Sequence, residues 1–241
     1  MRVGLNNTWQ IYKCLNAIGG SRVIHIKIFA DTSKVEEIRE FCSWGIIDGV
    51  TTNPKIIATD GNDLESTIRE ICKITNGPVS VEVTTNEYGG MVEEAEGYAS
   101  WAKNIVVKVP LIPSGLKAIS TLKSKGIKTN ATCCMAYNQA VLAAKAGAAY
   151  ASLFYGRIGD LGYDPYIVVK ETADTLRMWD SKCEIIVGSI RSLIDVNRGM
   201  QAGAHILTVP PKFLRQMVEN PQTTKTVDEF LEAWKGIPKR K

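Results

Sequence analysis

Residues 105–133 read IVVKVP, then LIPSGLKAISTLKSKG, then IKTNATC, and this succession decides the fold. The first run is short, apolar and rich in β-branched residues, as buried strands are. The second run has helical spacing between residues 114 and 125 and ends at Gly126, a residue type that commonly terminates helices. The third run is again strand-like. Strand, helix and strand in this order predict a βαβ unit with two parallel strands.

The same alternation continues outward along the chain in both directions. Predicted strands cover residues 23–31, 49–53, 79–84, 105–110, 127–133, 150–155, 183–190 and 206–210. Predicted helices cover residues 35–43, 64–75, 89–102, 114–125, 137–146, 165–179, 193–202 and 212–219, with a further helix at 226–235. Eight βα units predict an α/β fold, a single (β/α)8 (TIM) barrel with an extra C-terminal helix. A doubly wound sheet is the alternative, but no GxGxxG follows the first strand.

The domain organisation predicted from this pattern is a barrel over residues 23–241 and an N-terminal extension of uncertain order over residues 1–22. Residues 1–20 contain Arg2 and Lys13 but no acid, and their apolar side chains form only a weak helical stripe. They lack the continuous apolar centre of a secretory signal. A transit peptide is conceivable, and a surface decoration or a leader set by the choice of start codon is the preferred interpretation.

The composition predicts a globular, soluble protein, because 45% hydrophobic residues can bury a large core. Much of the net charge of +4 comes from Lys239–Lys241, so we infer no nucleic-acid partner. The six cysteines form no CxxC pair, which indicates reduced thiols in the cytoplasm rather than a zinc site or disulfides. No apolar run approaches the roughly 20 residues that a membrane span needs. No metal or organic cofactor is expected.

Lys108 is the single charge in its predicted strand. Burial penalises an ammonium ion, so we expect either an ion partner or a lowered pKa that exposes the amine lone pair. A neutral amine attacks carbonyl groups. The competing interpretation is that Lys108 reaches out from a strand end or pairs with a carboxylate for structural reasons only.

Polar side chains recur at the C-terminal ends of the predicted strands, where barrels carry their chemistry. These residues are Asp31, Asn53, Glu82, Lys108, Asn130, Thr132, Ser152, Ser189 and Arg191, with Phe154 beside them. A buried amine with two carboxylates, an amide and a hydroxyl suits Schiff-base chemistry, which needs proton shuttling. Arg157, Ser189 and Arg191 follow strands six and seven, where barrels often hold phosphate. The sequence therefore predicts a sugar-phosphate ligand.

Eight segments resemble the transaldolase and fructose-6-phosphate aldolase family, particularly its short-chain transaldolases. They are KIFADT (27–32), GVTTNP (49–54), VSVEV (79–83), IVVKVP (105–110), KTNAT (128–132), QAVLAAKAGA (139–148), GSIR (188–191) and LTVP (207–210). Together they cover nearly the whole predicted barrel. The chain departs from the family pattern at Cys133–Ala136, Leu153 and Gly159.

The resemblance implies a role for each candidate residue. Lys108 would be the Schiff-base lysine, Asp31 the proton acceptor and donor, and Glu82 with Thr132 the holders of a catalytic water. The remaining implied contacts are of three kinds. Asn53 and Asn130 would orient substrate hydroxyls or the intermediate, and Ser152 and Phe154 would line the donor pocket. Phosphate would be bound by Arg157, Ser189 and Arg191. The resemblance also implies a homo-oligomer, a pentamer or decamer.

The family contains two activities, and the resemblance favours transaldolase in the non-oxidative pentose phosphate pathway. A transaldolase passes the dihydroxyacetone unit to an acceptor sugar phosphate, whereas the aldolase releases it. Glu82 and Phe154 stand where the aldolase pattern resembles Gln and Tyr, and a tyrosine hydroxyl can help position water. The alternatives are fructose-6-phosphate aldolase and, from another class, a catalytically silent sugar-phosphate-binding barrel.

Overall fold

The structure, a computed structural model, describes residues 26–53 and 63–237. Eight parallel strands close into a barrel in chain order, which confirms the predicted (β/α)8 fold. The strands are β1 (Lys27–Asp31), β2 (Gly49–Thr51), β3 (Val79–Glu82), β4 (Ile105–Pro110), β5 (Thr129–Cys134), β6 (Tyr150–Phe154), β7 (Glu184–Gly188) and β8 (Ile206–Val209). The predicted N-terminal extension and the first residues of the first predicted strand, 23–25, lie outside the described residues.

Ten helices are present in the described part of the chain. They are α1 (Val35–Ser43), α2 (Leu64–Ile74), α3 (Tyr88–Trp101), α4 (Pro113–Ser124), α5 (Tyr137–Ala146), α6 (Tyr155–Asp160), α7 (Pro165–Met178), α8 (Leu193–Gln201), α9 (Pro211–Val218) and α10 (Pro221–Lys235). None of them is long and apolar enough to cross a membrane.

Most strands end one or two residues away from the predicted bounds, and two larger differences concern helices. Tyr155, predicted as the last residue of a strand, instead begins the short helix α6, which the sequence pattern did not reveal. The C-terminal helix α10 begins five residues before the predicted start at residue 226. Asn220 caps it by accepting hydrogen bonds from the backbone N–H groups of Gln222 and Thr223, and Pro221 supplies a preset φ at the first position.

Because successive side chains of a strand alternate between its two faces, the buried apolar residues form two separate clusters. In β4, Val107 and Val109 belong to the large cluster between the sheet and the helices, whereas Val106 belongs to a second cluster. That second cluster contains Phe29, Val106, Tyr150, Ile186 and Ile206, drawn from five strands. Because successive side chains of a strand point to opposite faces, the second cluster fills the barrel interior. Lys108, two residues beyond Val106, therefore lies in the next interior layer toward the C-terminal strand ends.

Candidate active site

Strand register brings the predicted polar residues to one layer of the barrel. Glu82 on β3 pairs with Lys108 on β4, and Lys108 pairs in turn with Asn130 on β5. A cavity of about 440 Å³ opens at this layer. Its wall includes eight predicted site residues: Asp31, Asn53, Glu82, Lys108, Ser152, Phe154, Arg157 and Ser189. The predicted residues Asn130, Thr132 and Arg191 are not part of this wall.

Lys108 is buried and has the ion partner expected from the sequence. Its side chain is 8% exposed, and its Nζ lies 2.9 Å from Glu82 Oε2. The same ammonium donates a hydrogen bond to the backbone oxygen of Thr52 at 3.1 Å. A carboxylate at this distance can accept a proton from the ammonium and release a nucleophilic amine into the cavity.

Asp31 is the second carboxyl group of the cavity, and it accepts a hydrogen bond from Thr51 Oγ1 at 2.8 Å. Burial raises the pKa of the Asp31 carboxyl, and the nearby negative charge of Glu82 adds to this effect. The Thr51 hydrogen bond and the positive charge of Lys108 oppose it, but burial dominates. A carboxyl group whose pKa is raised by burial is suited to exchanging a proton with a substrate hydroxyl.

Asn130 and Thr132 on β5 do not line the cavity, and both are fully buried. Asn130 Oδ1 accepts a hydrogen bond from Ser152 Oγ at 2.8 Å, which fixes the orientation of that hydroxyl. Asn130 Nδ2 and Thr132 Oγ1 make no hydrogen bond of normal geometry to any residue the structure describes. The Thr132 hydroxyl is nevertheless close enough to the Cys133 thiol to lower its pKa, against the larger raising effect of burial. Buried polar atoms of proteins are usually hydrogen-bonded, so Asn130 Nδ2 and Thr132 Oγ1 are available to a water or a ligand.

The cationic end of the site lies at β6 and β7. Arg157, on α6, lines the cavity, whereas Arg191 donates two hydrogen bonds of 2.7 Å to the carboxylate of Asp160. Gly156 makes this arrangement possible: a Cβ there would lie 2.5 Å from Arg191 Nε and 2.6 Å from the backbone oxygen of Ser189. Ser189 has a φ of 58°, an unusual value for a residue other than glycine. Arg191 is therefore held beside the cavity by Asp160 rather than exposed within it.

Four residues of the cavity wall were not singled out by the sequence interpretation: Thr51, Cys133, Gly188 and Thr208. Two of them carried a usable signal. Thr51 lies two residues before Asn53, so it shares the inward face of its strand, and Thr208 lies in the LTVP segment at a matching depth. A functional role for Thr51 and Thr208 could not be inferred from the sequence, because threonine is also common in strands for structural reasons.

The fold and this layer of polar residues define a parallel (β/α)8 barrel with a lysine–carboxylate site at its C-terminal rim. The family model described as "Transaldolase/Fructose-6-phosphate aldolase" matches residues 28–237. The chain belongs to this family and is an enzyme of it.

Several curated relatives support this assignment over nearly the full barrel. A protein named "Probable transaldolase" from Caldicellulosiruptor saccharolyticus is 46% identical over 216 residues, which cover 89% of this chain and 100% of that one. "Probable transaldolase 2" from Listeria monocytogenes is 44% identical, with coverage of 89% and 99%. "Probable transaldolase" from Symbiobacterium thermophilum is 42% identical, with coverage of 89% and 100%.

Solved structures with a similar architecture share the fold alone. The flavin-binding domain of baker's yeast flavocytochrome b2 matches with a TM-score of 0.55 at 16% identity, covering 80% of this chain but only 58% of that one. Thiamine phosphate pyrophosphorylase from Pyrococcus furiosus matches with a TM-score of 0.54 at 14% identity, covering 77% and 85%. At such low identity the similarity carries no information about chemistry.

Proposed function

We propose that the protein is a transaldolase that transfers a dihydroxyacetone unit between sugar phosphates through a Schiff base on Lys108. The reaction interconverts sedoheptulose 7-phosphate and glyceraldehyde 3-phosphate with erythrose 4-phosphate and fructose 6-phosphate. The observation that carries the proposal is the buried contact of 2.9 Å between Lys108 Nζ and Glu82 Oε2 in a cavity that also contains Asp31. Membership of the family and the names of the relatives add support.

The first half-reaction loads the donor onto the lysine. Glu82 accepts a proton from Lys108, and the free amine adds to the ketone carbon of the donor to form a carbinolamine. Glu82 returns its proton to the carbinolamine hydroxyl, which leaves as water and gives the iminium ion, with Glu82 and Thr132 holding the departing water. The buried hydroxyl of Thr132, which makes no hydrogen bond of normal geometry to a described residue, supports this role.

The carbon–carbon bond then breaks next to the iminium ion. The Asp31 carboxylate takes the proton of the hydroxyl on the departing carbon, an aldehyde leaves, and the bonding electron pair moves into the iminium to form an enamine. The enamine attacks the carbonyl carbon of the acceptor aldehyde, and Asp31 returns its proton to the new hydroxyl. Hydrolysis of the product iminium regenerates Lys108. The iminium is the electron sink, so the steps as written use no cofactor.

The remaining candidate residues bind and orient the substrate in this proposal. Asn53, Asn130 and Ser152 contact hydroxyl groups, and Phe154 covers the apolar side of the donor. The hydrogen bond between Ser152 and Asn130 supports a fixed geometry for the first of these tasks. Phosphate binds at the cationic end, where Arg157, Ser189 and Arg191 follow β6 and β7. The enzyme would serve the non-oxidative pentose phosphate pathway in the cytoplasm.

Fructose-6-phosphate aldolase is the second candidate function. It shares every step up to the enamine but releases the dihydroxyacetone unit to water instead of an acceptor. Glu82 and Phe154 both stand where the aldolase pattern resembles another residue, and the absence of a hydroxyl on Phe154 favours transfer because one fewer group near the intermediate can position water.

We also propose that the protein assembles into a homo-oligomer, a pentamer or decamer. Four large apolar side chains on α10, Val227, Phe230, Leu231 and Trp234, are exposed by 48%, 70%, 57% and 68%. No residue of α10 is buried within the described structure. An apolar helix face of this kind is commonly covered by a partner. Light scattering of the wild type and of Phe230→Ser/Trp234→Ser tests this, since the double variant should dissociate into smaller species.

The test of the reaction compares wild type with Lys108→Ala. Each protein is incubated with fructose 6-phosphate, with and without erythrose 4-phosphate, trapped with borohydride and assayed for sedoheptulose 7-phosphate and free dihydroxyacetone. Lys128→Ala is the matched control, because Lys128 precedes the neighbouring strand β5 and is exposed. Transaldolase requires acceptor-dependent sedoheptulose 7-phosphate and a trapped adduct on Lys108 that only Lys108→Ala loses.

Other outcomes have equally definite meanings. Free dihydroxyacetone without an acceptor moves the assignment to the aldolase. Saturable binding of fructose 6-phosphate without product or adduct supports a catalytically silent binding barrel instead.

A further inference from the structure

Thr208 is hydrogen-bonded to Thr51, the residue whose hydroxyl donates a hydrogen bond to Asp31. Thr51 on β2 is paired in register with Asp31 on β1, and β8 pairs with the other edge of β1. Thr51 Oγ1 donates to Asp31 Oδ1 at 2.8 Å and lies 2.5 Å from Thr208 Oγ1. Thr51 is 2% exposed and Thr208 is 6% exposed. Three adjacent strands thus contribute one continuous chain of polar atoms.

The direction of the hydrogen bonds follows from the number of protons. Each threonine hydroxyl has a single proton to donate. Since Thr51 donates its proton to Asp31, its contact with Thr208 requires Thr208 to be the donor. Thr51 therefore accepts one bond and donates another, and turning its hydroxyl proton toward Thr208 would keep that contact only by giving up the bond to Asp31. Hydrogen bonds in a chain also polarise one another, which strengthens the bond at the charged end.

We propose that Thr208 is a positioning residue for proton transfer at Asp31: by donating to Thr51, it keeps the Thr51 hydroxyl proton directed at the carboxylate. The inference rests on the proposed function for the role of Asp31 in catalysis. Thr208 itself acts through Thr51. Its effect is to favour the ionised form of Asp31, the form that accepts a proton from the substrate, because bonds to a charged acceptor are the stronger ones.

The pKa of Asp31 is set by opposing influences, and the Thr51 hydrogen bond is one of the largest of them. Burial raises its pKa, and the Thr51 hydrogen bond is the largest opposing influence, ahead of the positive charge of Lys108. The negative charge of Glu82 adds to the effect of burial. Weakening the Thr51 bond should therefore raise the pKa of Asp31 further.

Other charged groups on the elements around β1 do not substitute for the hydroxyl pair. On the inner side, β2 and β8 contribute only Thr51 and Thr208 to the cavity wall, and Cys133 and Arg157 belong to the same cavity. On the outer side, Arg215 of α9 pairs with Glu37 and Glu40 of α1. Those three groups pair with each other on the helical side of the strand and leave one net negative charge there.

The experiment replaces the Thr208 hydroxyl by a methyl group in Thr208→Val and retains it in Thr208→Ser. Thr129→Val is the matched control: Thr129 is also a buried strand threonine, but its hydroxyl has no partner among the described residues. The readout is the pH dependence of kcat/KM for transfer from fructose 6-phosphate to erythrose 4-phosphate, which reports ionisations of the free enzyme. Activity requires ionised Asp31, so a raised pKa moves the acid limb to higher pH.

For Thr208→Val we expect the acid limb to move up by about half to one pH unit, the effect of weakening one hydrogen bond to a charged group. Thr208→Ser and Thr129→Val should retain the wild-type limb. In a Thr51→Val background, Thr208→Val should cause no further shift, because its influence passes through Thr51. A Thr208→Val profile that coincides with wild type, or a shift that persists undiminished without the Thr51 hydroxyl, overturns the proposal.

A measurement independent of turnover separates this inference from the proposed function. Carboxyl signals of the ¹³C-aspartate-labelled enzyme are titrated by NMR, and Asp31 is assigned by the signal lost in Asp31→Asn. Suppose that wild type has no transferase or aldolase activity but that Thr208→Val raises the pKa of Asp31. The hydrogen-bond chain from Thr208 through Thr51 to Asp31 is then supported, and the proposed function fails. If the activity is present and Asp31 titrates identically in both proteins, the proposed function stands and the role of Thr208 is wrong.

Discussion

Lys108 Nζ lies 2.9 Å from Glu82 Oε2, and the register of β3 and β4 places the two residues directly side by side. Their side chains are only 8% and 15% exposed. Removing two charges from water is costly, and their attraction offsets this cost only when both partners are present. The pair is therefore better explained by chemistry in the cavity than by a contribution to stability.

Glu82→Gln should reduce the rate of transfer strongly. The amide cannot accept the lysine proton or return it, and loss of a general acid–base group typically costs about 10²–10⁴-fold in kcat. Glu184→Gln is a matched control, because Glu184 pairs with Lys27 at 2.8 Å at the start of the strands, away from the cavity. We expect Glu184→Gln to keep activity within a factor of a few. Equal losses in the two variants, measured by steady-state kinetics, would argue against a catalytic role for Glu82.

Asp31→Asn should be inactive yet more stable than wild type at neutral pH. The pKa of Asp31 is raised in the folded protein, so stability is lost as the pH rises above the ordinary value of 3.8, and the full cost is reached above the raised pKa. The neutral amide removes this cost. The gain should be present above the raised pKa and disappear below the ordinary value of 3.8. Each kcal/mol gained would raise the Tm of a chain of this size by about 2–4 °C.

Asp160→Asn should change the stability at neutral pH in the opposite direction to Asp31→Asn. Its hydrogen bonds to Arg191 hold the pKa of Asp160 below its ordinary value, so any contribution to stability is present at neutral pH and is lost on acidification. Thermal unfolding of the two variants at pH 7.5 and at pH 2.5, below the ordinary value of 3.8, provides the comparison. A neutral-pH Tm of Asp31→Asn below that of wild type would contradict the account of its burial.

Phe154→Tyr should move the reaction toward release of dihydroxyacetone. Phe154 ends β6 and lines the cavity with Lys108. A hydroxyl added here can position water near the enamine, which shortens the life of the intermediate. The ratio of free dihydroxyacetone to sedoheptulose 7-phosphate should increase, by about tenfold if the hydroxyl contributes 1.4 kcal/mol to water attack. An unchanged ratio would show that residue 154 does not govern the fate of the intermediate.

Arg191→Met should weaken the binding of phosphorylated substrates and affect kcat less. Arg191 follows β7 and is held beside the cavity by the Asp160 carboxylate. Loss of one charge-assisted contact to phosphate should raise KM by roughly tenfold or more. Arg177→Met is the control, since Arg177 is similarly exposed and paired with Asp174 on the outer helix α7. A KM that rises equally in both variants would indicate a general charge effect.

The described cysteines should react slowly with alkylating reagents in the native protein. Burial raises the pKa of Cys72 to about 11 and that of Cys183 to about 12, from 9.0. Two units correspond to about 100-fold less thiolate at Cys72 near neutral pH, and the thiolate is the reactive form. Peptide mapping after iodoacetamide treatment, with urea-unfolded protein as reference, measures the difference. Rapid labelling of Cys72 in the native state would contradict its burial.

Most of the fold could be predicted because it depends on a local pattern. The bounds of β4, α1 and α5 match the predicted ranges to the residue, since apolar periodicity and turn residues identify them. Helix α6 was missed because its six residues follow β6 without an intervening turn signal. Short elements of this kind depend on the contacts around them, here the passage of Arg191 over Gly156.

The amino-acid sequence by itself determined the barrel and the end of it at which Asp31, Glu82 and Lys108 lie, because the strand period of two assigns each side chain to a face and a depth. Only the tertiary structure decided which groups meet. It paired Lys108 with Glu82, engaged Arg191 with Asp160, and joined Thr51 to Thr208 across 157 residues of chain. Whether two side chains from different strands form a hydrogen bond depends on differences of a few tenths of an ångström in their separation. No local pattern in the sequence encodes such differences.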